Sequence, residues 1–247
     1  MDQCNISIAT VTLIRNTQER DLLHQSMQRL SALGVPVAVA DADSGKDFTD
    51  YLENLPNLKV YKLERSGLFL QAKESLVAAS HLGKRYVLYT ESDKLWFFEN
   101  ELGNFISQAL DDDNTGIFLA SRDARSFSTF PEFQRHTEAV INQLVEKLVG
   151  QGGDYVYGPM LIRRTLIDSL SLVQEDIGWG FRFFLIGIAH RLGQHLVPLT
   201  LTLPNPAYSH QEETLDVRLY RVQQLVQNSR GLVHSFEVPL SSPLHHK

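Results

Sequence analysis

The chain has 247 residues, 43% of them hydrophobic and 21% charged, which fits one large α/β domain and excludes a disordered or fibrous protein. Its formal net charge is −6, from 23 Lys and Arg against 29 Asp and Glu, so polyphosphate duplexes are repelled and nucleic acid is excluded as a partner. Cys4 is the only cysteine, which rules out an internal disulfide and a cysteine metal cage.

Residues 6–11 are a compact β-branched run, suited to a strand buried on both faces. The first five residues carry neither the basic nor the apolar region of a signal peptide, so the expected compartment is the cytoplasm. Asn16 with Glu19 has the form of a helix N-cap pair. Leu22, Leu23, Met27 and Leu30 then recur at helical spacing until Gly34 supplies the stop. A second strand is expected over 35–40, ending on Asp41-Ala42-Asp43-Ser44-Gly45. A short helix over 48–55 leads to a strand at 58–63, a helix over 68–81 closed by Gly83, and a fourth strand at 85–90.

The second half is less regular. Helices are expected over 100–110, 131–149, 177–191 and 214–229, strands over 116–121, 158–163 and 195–201, and a mobile tail at the end. The longest apolar stretch, 183–189, is too short to span a bilayer, so no membrane span is expected. Strands alternating with helices imply a mainly parallel sheet covered on both faces, with ligands bound beyond the carboxyl ends of its strands.

Polar clusters fall at four such ends: Arg15-Asn16, 41–45, Arg65-Ser66-Gly67 and Glu91-Ser92-Asp93. In the last, two carboxylates two residues apart can aim at one hard cation. Such an ion bridges phosphate oxygens and neutralises a leaving diphosphate; the plain alternative is a solvated acidic turn. Arg65 and Lys73 flank the third strand end and the following helix, where free backbone N–H groups also favour anions. Arg218 and Arg221 on the last helix are placed to close over a bound anion. A simple surface charge is the alternative for each of these cations. The segment 152–159 reads as flexible and able to shape a pocket, Trp179 with Tyr157 as a stacking surface for a sugar, and 122–130 as a Ser-rich loop suited to a lid.

Three stretches resemble the nucleotide-binding half of GT-A glycosyltransferases. They are Asp41-Ala42-Asp43-Ser44-Gly45, Arg65-Ser66-Gly67 with Ala72-Lys73, and the run from Tyr86 ending in Glu91-Ser92-Asp93, which is similar to the D-x-D element with Glu in the first place. Further on, Glu175-Asp176-Ile177-Gly178-Trp179-Gly180 resembles the E-D-x-D-W element, with Gly178 where the second acid would stand. Tyr208-Ser209-His210 resembles the late histidine that completes metal binding in several of these enzymes, the mannosylglycerate-synthase type among them.

The resemblance implies a GT-A, Rossmann-like α/β fold over 1–247, with 1–93 as the nucleotide-binding half, 94–235 as the acceptor-binding half and 236–247 as a tail. It implies a nucleotide-sugar donor (UDP- or GDP-sugar), a small soluble acceptor, and Mn²⁺ or Mg²⁺ on Asp93, His210 and Glu91; a homodimer is compatible with it. Donor contacts would come from Thr12, Arg15, Asp41, Asp43, Arg65, Gly67, Lys73, Glu91, Ser92, Asp93 and Arg218. Acceptor contacts would come from Tyr157, Gly158 and Trp179, with Asp176 and its neighbour Glu175 as the catalytic acids. Glu91 has a longer arm than Asp and can serve the ribose or a water in place of the metal, and Asp176 can equally cap the helix expected from 177.

Other readings fare worse. No Gly-rich loop follows the first strand, where 12–16 reads Thr-Leu-Ile-Arg-Asn, which excludes a nucleotidyltransferase and a dinucleotide-dependent oxidoreductase; no G-x-S-x-G elbow appears either. The remaining alternative is a GT-A-like binding module without turnover, supported by the departures at Glu91 and Gly178.

Overall fold

A computed structural model describes residues 5–65, 67–109, 114–207 and 212–240. Its first half alternates β1 (Ile6–Thr12), α1 (Thr17–Ser31), β2 (Val37–Asp41), α2 (Lys46–Glu53), β3 (Leu58–Lys62), α3 (Leu68–Ser80) and β4 (Tyr86–Tyr89). A short π-helical turn, Phe97–Glu101, runs into α4 (Leu102–Gln108). There follow β5 (Thr115–Arg122), α5 (Ala124–Ser128), α6 (Glu132–Val149), β6 (Met160–Arg163), α7 (Arg164–Ile167), α8 (Gly180–Arg191), β7 (His195–Leu201) and α9 (Leu215–Glu237).

The strands form one sheet in the order β3-β2-β1-β4-β6-β5-β7. Pairing is parallel except around β6, which runs antiparallel to both β4 and β5. Central strands are buried on both faces, which is why β2 and β4 read as near-continuous apolar runs and β1 as a β-branched run broken only by small polar residues. One face carries Leu23, Met27 and Leu30 of α1, Phe48 and Leu52 of α2, and Phe105 of α4. The other carries Phe69, Ala72 and Leu76 of α3, Ile141 and Val145 of α6, and the apolar body of α8. Strand β3, at the sheet edge, is only partly buried and places Lys59 and Lys62 there, a charge pattern that discourages pairing with another edge.

The Asn16 cap forms as the sequence implies, its side-chain oxygen accepting from Glu19 N at 2.9 Å. Three expectations change. Segment 122–130 is not an open loop: Arg122 ends β5 inside the protein, and Asp123 caps α5 by accepting from Ser126 N at 2.6 Å, a bond that also holds its carboxyl below the usual range. Segment 152–159 is pinned rather than flexible, with Tyr155 N donating to Asn142 Oδ1 at 2.9 Å and its hydroxyl to Gln151 O at 2.6 Å. Burial, then the nearby Glu146 charge, push that phenol up to about 12. The last helix continues through Glu237, eight residues past its expected end and two into the segment read as a tail.

Candidate active site

A cleft of about 530 Å³ opens at the edge of the sheet where the parallel strands end. The segment after β4 supplies Glu91, Asp93 and Lys94, the turn after β1 supplies Arg15, and the end of β5 supplies Arg122. Trp179 and Arg182 at the start of α8 and one side of α9 complete the walls.

Glu91 and Asp93 are neighbours with different surroundings. The Asp93 side chain is 61% exposed, with Lys94 Nζ 3.9 Å away. Glu91 is buried; its Oε1 accepts from Arg182 Nη1 at 3.4 Å, and its Oε2 has no protein partner. Gly158 makes room for it. That residue has φ +131°, a conformation side chains rarely adopt, and a Cβ there would collide with the Glu91 carboxylate. Beneath lies Tyr89, wholly buried, whose phenol is pushed well up by burial and then by the Glu91 charge.

Arg182 also donates to Val156 O at 3.2 Å and lies 5.1 Å from the Trp179 ring centre. Trp179 is fixed in turn: its backbone N donates to Gln227 Oε1 at 3.2 Å and its indole N–H to Tyr220 Oη at 3.1 Å. Tyr157 is buried under Lys94, whose amine stands 5.1 Å from its ring centre.

The opposite wall is built on Arg122. Its Nε donates to Asp154 Oδ2 at 2.6 Å and its Nη2 to Glu138 Oε2 at 2.6 Å and Asp154 Oδ1 at 3.0 Å. Gln134 Nε2 donates to the other Glu138 oxygen at 2.8 Å, and Asn142 Nδ2 to Asp154 at 3.1 Å. The rings of Phe127 and Phe130 lie 4.7 and 4.4 Å from the guanidinium. Burial, the largest single influence, raises the Asp154 carboxyl, but the Arg122 charge together with hydrogen bonds from Arg122 and Asn142 outweighs it and holds the group below its ordinary range.

Several residues expected to meet a donor make hydrogen bonds or ring contacts within the protein. Thr12 Oγ1 donates to Asp41 Oδ1 at 2.7 Å, and the other Asp41 oxygen accepts from Ser44 N at 3.0 Å. Both side chains are buried, and together they fix the spacing of the two turns that follow β1 and β2. Asp43, at φ +71°, and Arg65 are exposed, and Ser92 is buried. Gly67 caps α3 with no side-chain hydrogen bond, and Lys73 sits over the Phe69 ring at 5.8 Å. Arg15 lines the cleft while paired to Glu19 at 2.7 Å. Arg218 is turned toward Phe133, 5.8 Å from its ring centre, and does not line the cleft; Arg221, one turn on, does. His210 and Ser66 lie outside the described residues.

The helix expected from 177 begins at Gly180, so Asp176 does not cap it. Asp176 Oδ1 instead accepts from Gly178 N at 2.8 Å, closing a tight turn, and its Oδ2 lies beside Gly67. Gly178 adopts φ +51°, and a Cβ there would run into the Gln227 side chain, which accounts physically for glycine where the E-D-x-D-W pattern has an acid. Glu175 is an exposed partner of Arg230. Neither acid lines the cleft.

Arg182, Arg122, Glu138 and Asp154 were not read from the sequence as parts of this site. Arg182 carries a usable signal: it is a lone charge in the apolar run 181–189 and, once buried, requires a partner. Tyr220, Gln224 and Asn228 carry another, a polar row at steps of four on a helix.

Among the described residues, no three His, Cys, Asp or Glu side chains converge as a ready metal cluster. Asp93 still suits a hard cation, being an exposed oxygen donor at a cleft wall, and such ions draw their remaining ligands from phosphate oxygens and water.

The strand order with its single reversal, and the acidic cluster after β4, define the class: this is the α/β fold of GT-A glycosyltransferases. Among solved structures it is similar to glucosyl-3-phosphoglycerate synthase from Mycobacterium tuberculosis. The form with Mn²⁺, UDP-glucose and phosphoglyceric acid matches at a TM-score of 0.66 and 16% identity, over 96% of this chain and 81% of that one. The form with Mn²⁺, UDP and phosphoglyceric acid gives 0.65 and 17% over 96% and 80%, and that with Mg²⁺ and UDP gives 0.61 and 17% over 96% and 81%. No protein-family model and no curated protein matches the chain. Among the described residues, no helix is long and apolar enough to cross a membrane.

Proposed function

We propose that the chain is a glycosyltransferase that moves a sugar from a nucleotide-diphosphate-sugar donor to a small polar acceptor, with a divalent cation. One observation carries the reading: on a fold shared with an enzyme solved with UDP-glucose and Mn²⁺, this chain sets an exposed carboxylate, Asp93, in the cleft beyond β4. Asp93, with His210 as the second candidate, would hold the cation, which when bound offsets charge on the leaving diphosphate. The turns after β1 and β2, braced by the Thr12–Asp41 bond, would take the nucleoside. Backbone N–H groups at the start of α3 favour its phosphates.

Glu91, one oxygen locked by Arg182 and the other buried against Gly158, is a poor metal ligand and serves to hold Arg182 in the wall of the cleft. Trp179, Tyr220, Gln224 and Asn228 would form the acceptor side, with aromatic faces and amides suited to a hydroxylated molecule. Asp176 takes no catalytic part in this proposal, since it closes a turn outside the cleft.

Thermal shift with UDP, GDP and ADP, each with and without Mn²⁺, tests the reading. A nucleoside diphosphate bound to the native state raises the melting temperature, and the rise should need the metal. No shift with any of the three overturns it. The Glu91–Arg182 lock also fits a binding module without turnover. Metal-stimulated hydrolysis of a nucleotide sugar excludes that module, and metal-dependent binding with no hydrolysis or transfer establishes it.

A further inference from the structure

Helix α9 presents three faces. Leu225, Leu232 and Ser235 face the core and α8, while Tyr220, Gln224 and Asn228 face the cleft. On the third, Leu215, Leu219, Val222, Val226 and Val233 are each 40% exposed or more. These residues follow alternating steps of four and three, interrupted once at Ser229 and resumed at Val233 and Phe236.

Steps of four and three are the spacing of a seam that a second helix fills by knobs-into-holes packing. The row extends about 32 Å at roughly 1.5 Å per residue. Helix α6 packs against α9 and adds Val140, Leu144 and Leu148, also exposed. Two helix-length apolar rows are on the scale of the ~800 Å² that each partner of a stable dimer buries, and a monomer seldom leaves such a patch open.

A lipid surface is the weaker occupant. Interfacial helices flank their apolar face with Lys and Arg, whereas α9 contains no lysine and flanks its row with Asp216 and Glu237 as well as Arg218 and Arg230. The net charge of −6 also disfavours anionic headgroups.

We infer that two copies of the chain associate through the outer face of α9, the helices antiparallel across a two-fold axis close to Val226. The interface is isologous, each copy presenting the same row. Since α9 also forms a wall of the cleft, pairing braces that wall from behind in both copies.

Sedimentation velocity on the full chain between about 1 and 100 μM, the range in which a dimer of micromolar affinity dissociates, tests this. The expected result is twice the chain mass, and Leu219→Asp and Val226→Asp should each weaken association at least tenfold without altering the circular dichroism spectrum. If either variant misfolds, oxidative cross-linking decides. In a Cys4→Ser background, Val226→Cys should form a disulfide-linked dimer. Leu215→Cys should not, because antiparallel pairing holds its two copies about 33 Å apart.

A monomer at every concentration, or a dimer indifferent to both aspartates, overturns the inference. So does cross-linking through Leu215→Cys but not Val226→Cys. Binding of a monomeric wild type to anionic phospholipid vesicles, lost in Val226→Asp, would assign the row to a membrane instead. None of these readouts depends on glycosyl transfer.

Discussion

On one wall of the cleft Asp93 keeps its carboxylate mostly exposed, while on the other Glu138 and Asp154 bury theirs around Arg122. The exposed acid has no strong protein partner and lies ready for a ligand. The buried acids have their oxygens filled by Arg122, Gln134 and Asn142, and nothing of them is left for chemistry. The lesson is that lining a cleft does not make a charge functional. Unfilled bonding capacity at a reachable atom does, and Glu91 stands between the two cases, one oxygen held and the other sealed off.

The largest effect should come from breaking the buried wall. Arg122→Ala strands two carboxylates away from water, a loss on the order of 3–5 kcal/mol and a melting temperature lower by about 10 °C in calorimetry. Removing the charges together, as Arg122→Met with Glu138→Gln and Asp154→Asn, should recover part of that. The network also has a pH signature. Because the folded Asp154 carboxyl is depressed, its contribution is complete above the ordinary carboxylate range and fades as pH falls through the lower folded value. Acid titration of the wild type should therefore lose stability below about pH 4, with a shallower fall in the triple variant.

Next comes the exposed wall. Asp93→Asn should weaken Mn²⁺-dependent UDP binding at least about 100-fold, equivalent to ~2.7 kcal/mol, with the melting temperature of the free protein unchanged. Calorimetric titration showing intact metal-dependent binding would remove Asp93 from the site and leave both walls structural.

Gly158→Ala probes the intermediate case. The new methyl has to displace the Glu91 carboxylate from its seat, and the φ of +131° is itself strained for alanine, so stability should fall by about 1–3 kcal/mol in urea denaturation. Glu91→Ala combined with it should restore some of the loss, since the clash goes with the carboxylate. The smallest effect belongs to Asp176→Asn: the amide oxygen can still accept from Gly178 N, so turnover and melting temperature should both stay near wild type. A large drop in turnover would return Asp176 to catalysis.

The sequence was most legible where one local rule sufficed. Strands β1, β2 and β4 announce themselves because burial on both faces demands runs nearly free of charge and rich in apolar or β-branched residues, and the clusters at their ends follow from strand direction. Glu91 and Asp93 were found that way, and the longer arm of Glu91 already set it apart as the lesser metal candidate; its burial against Arg182, 91 residues further along the chain, was not legible. The Arg122 network joins residues 16 and 32 positions apart, so its arginine read as part of a polar loop and Asp154 as part of a flexible one. The start of α8 was misplaced because a positive-φ glycine inside a turn has no periodicity to betray it. The length of α9 was missed because, past Ser229, only Leu232 joins the core while Val233 and Phe236 stay exposed.

The reversal of β6 has a consequence for how molecules enter and leave. Its first residue, Met160, is laddered to Tyr89 on one side and Leu119 on the other. Tyr157 therefore reaches the cleft three residues ahead of a doubly paired strand start, which limits how far it can move. Helix α9, on another side of the cleft, is attached by side-chain packing rather than by a ladder. In the glycosyltransferase reading, the pace of product escape should follow how firmly that helix is held more than the rigidity of the sheet beneath it.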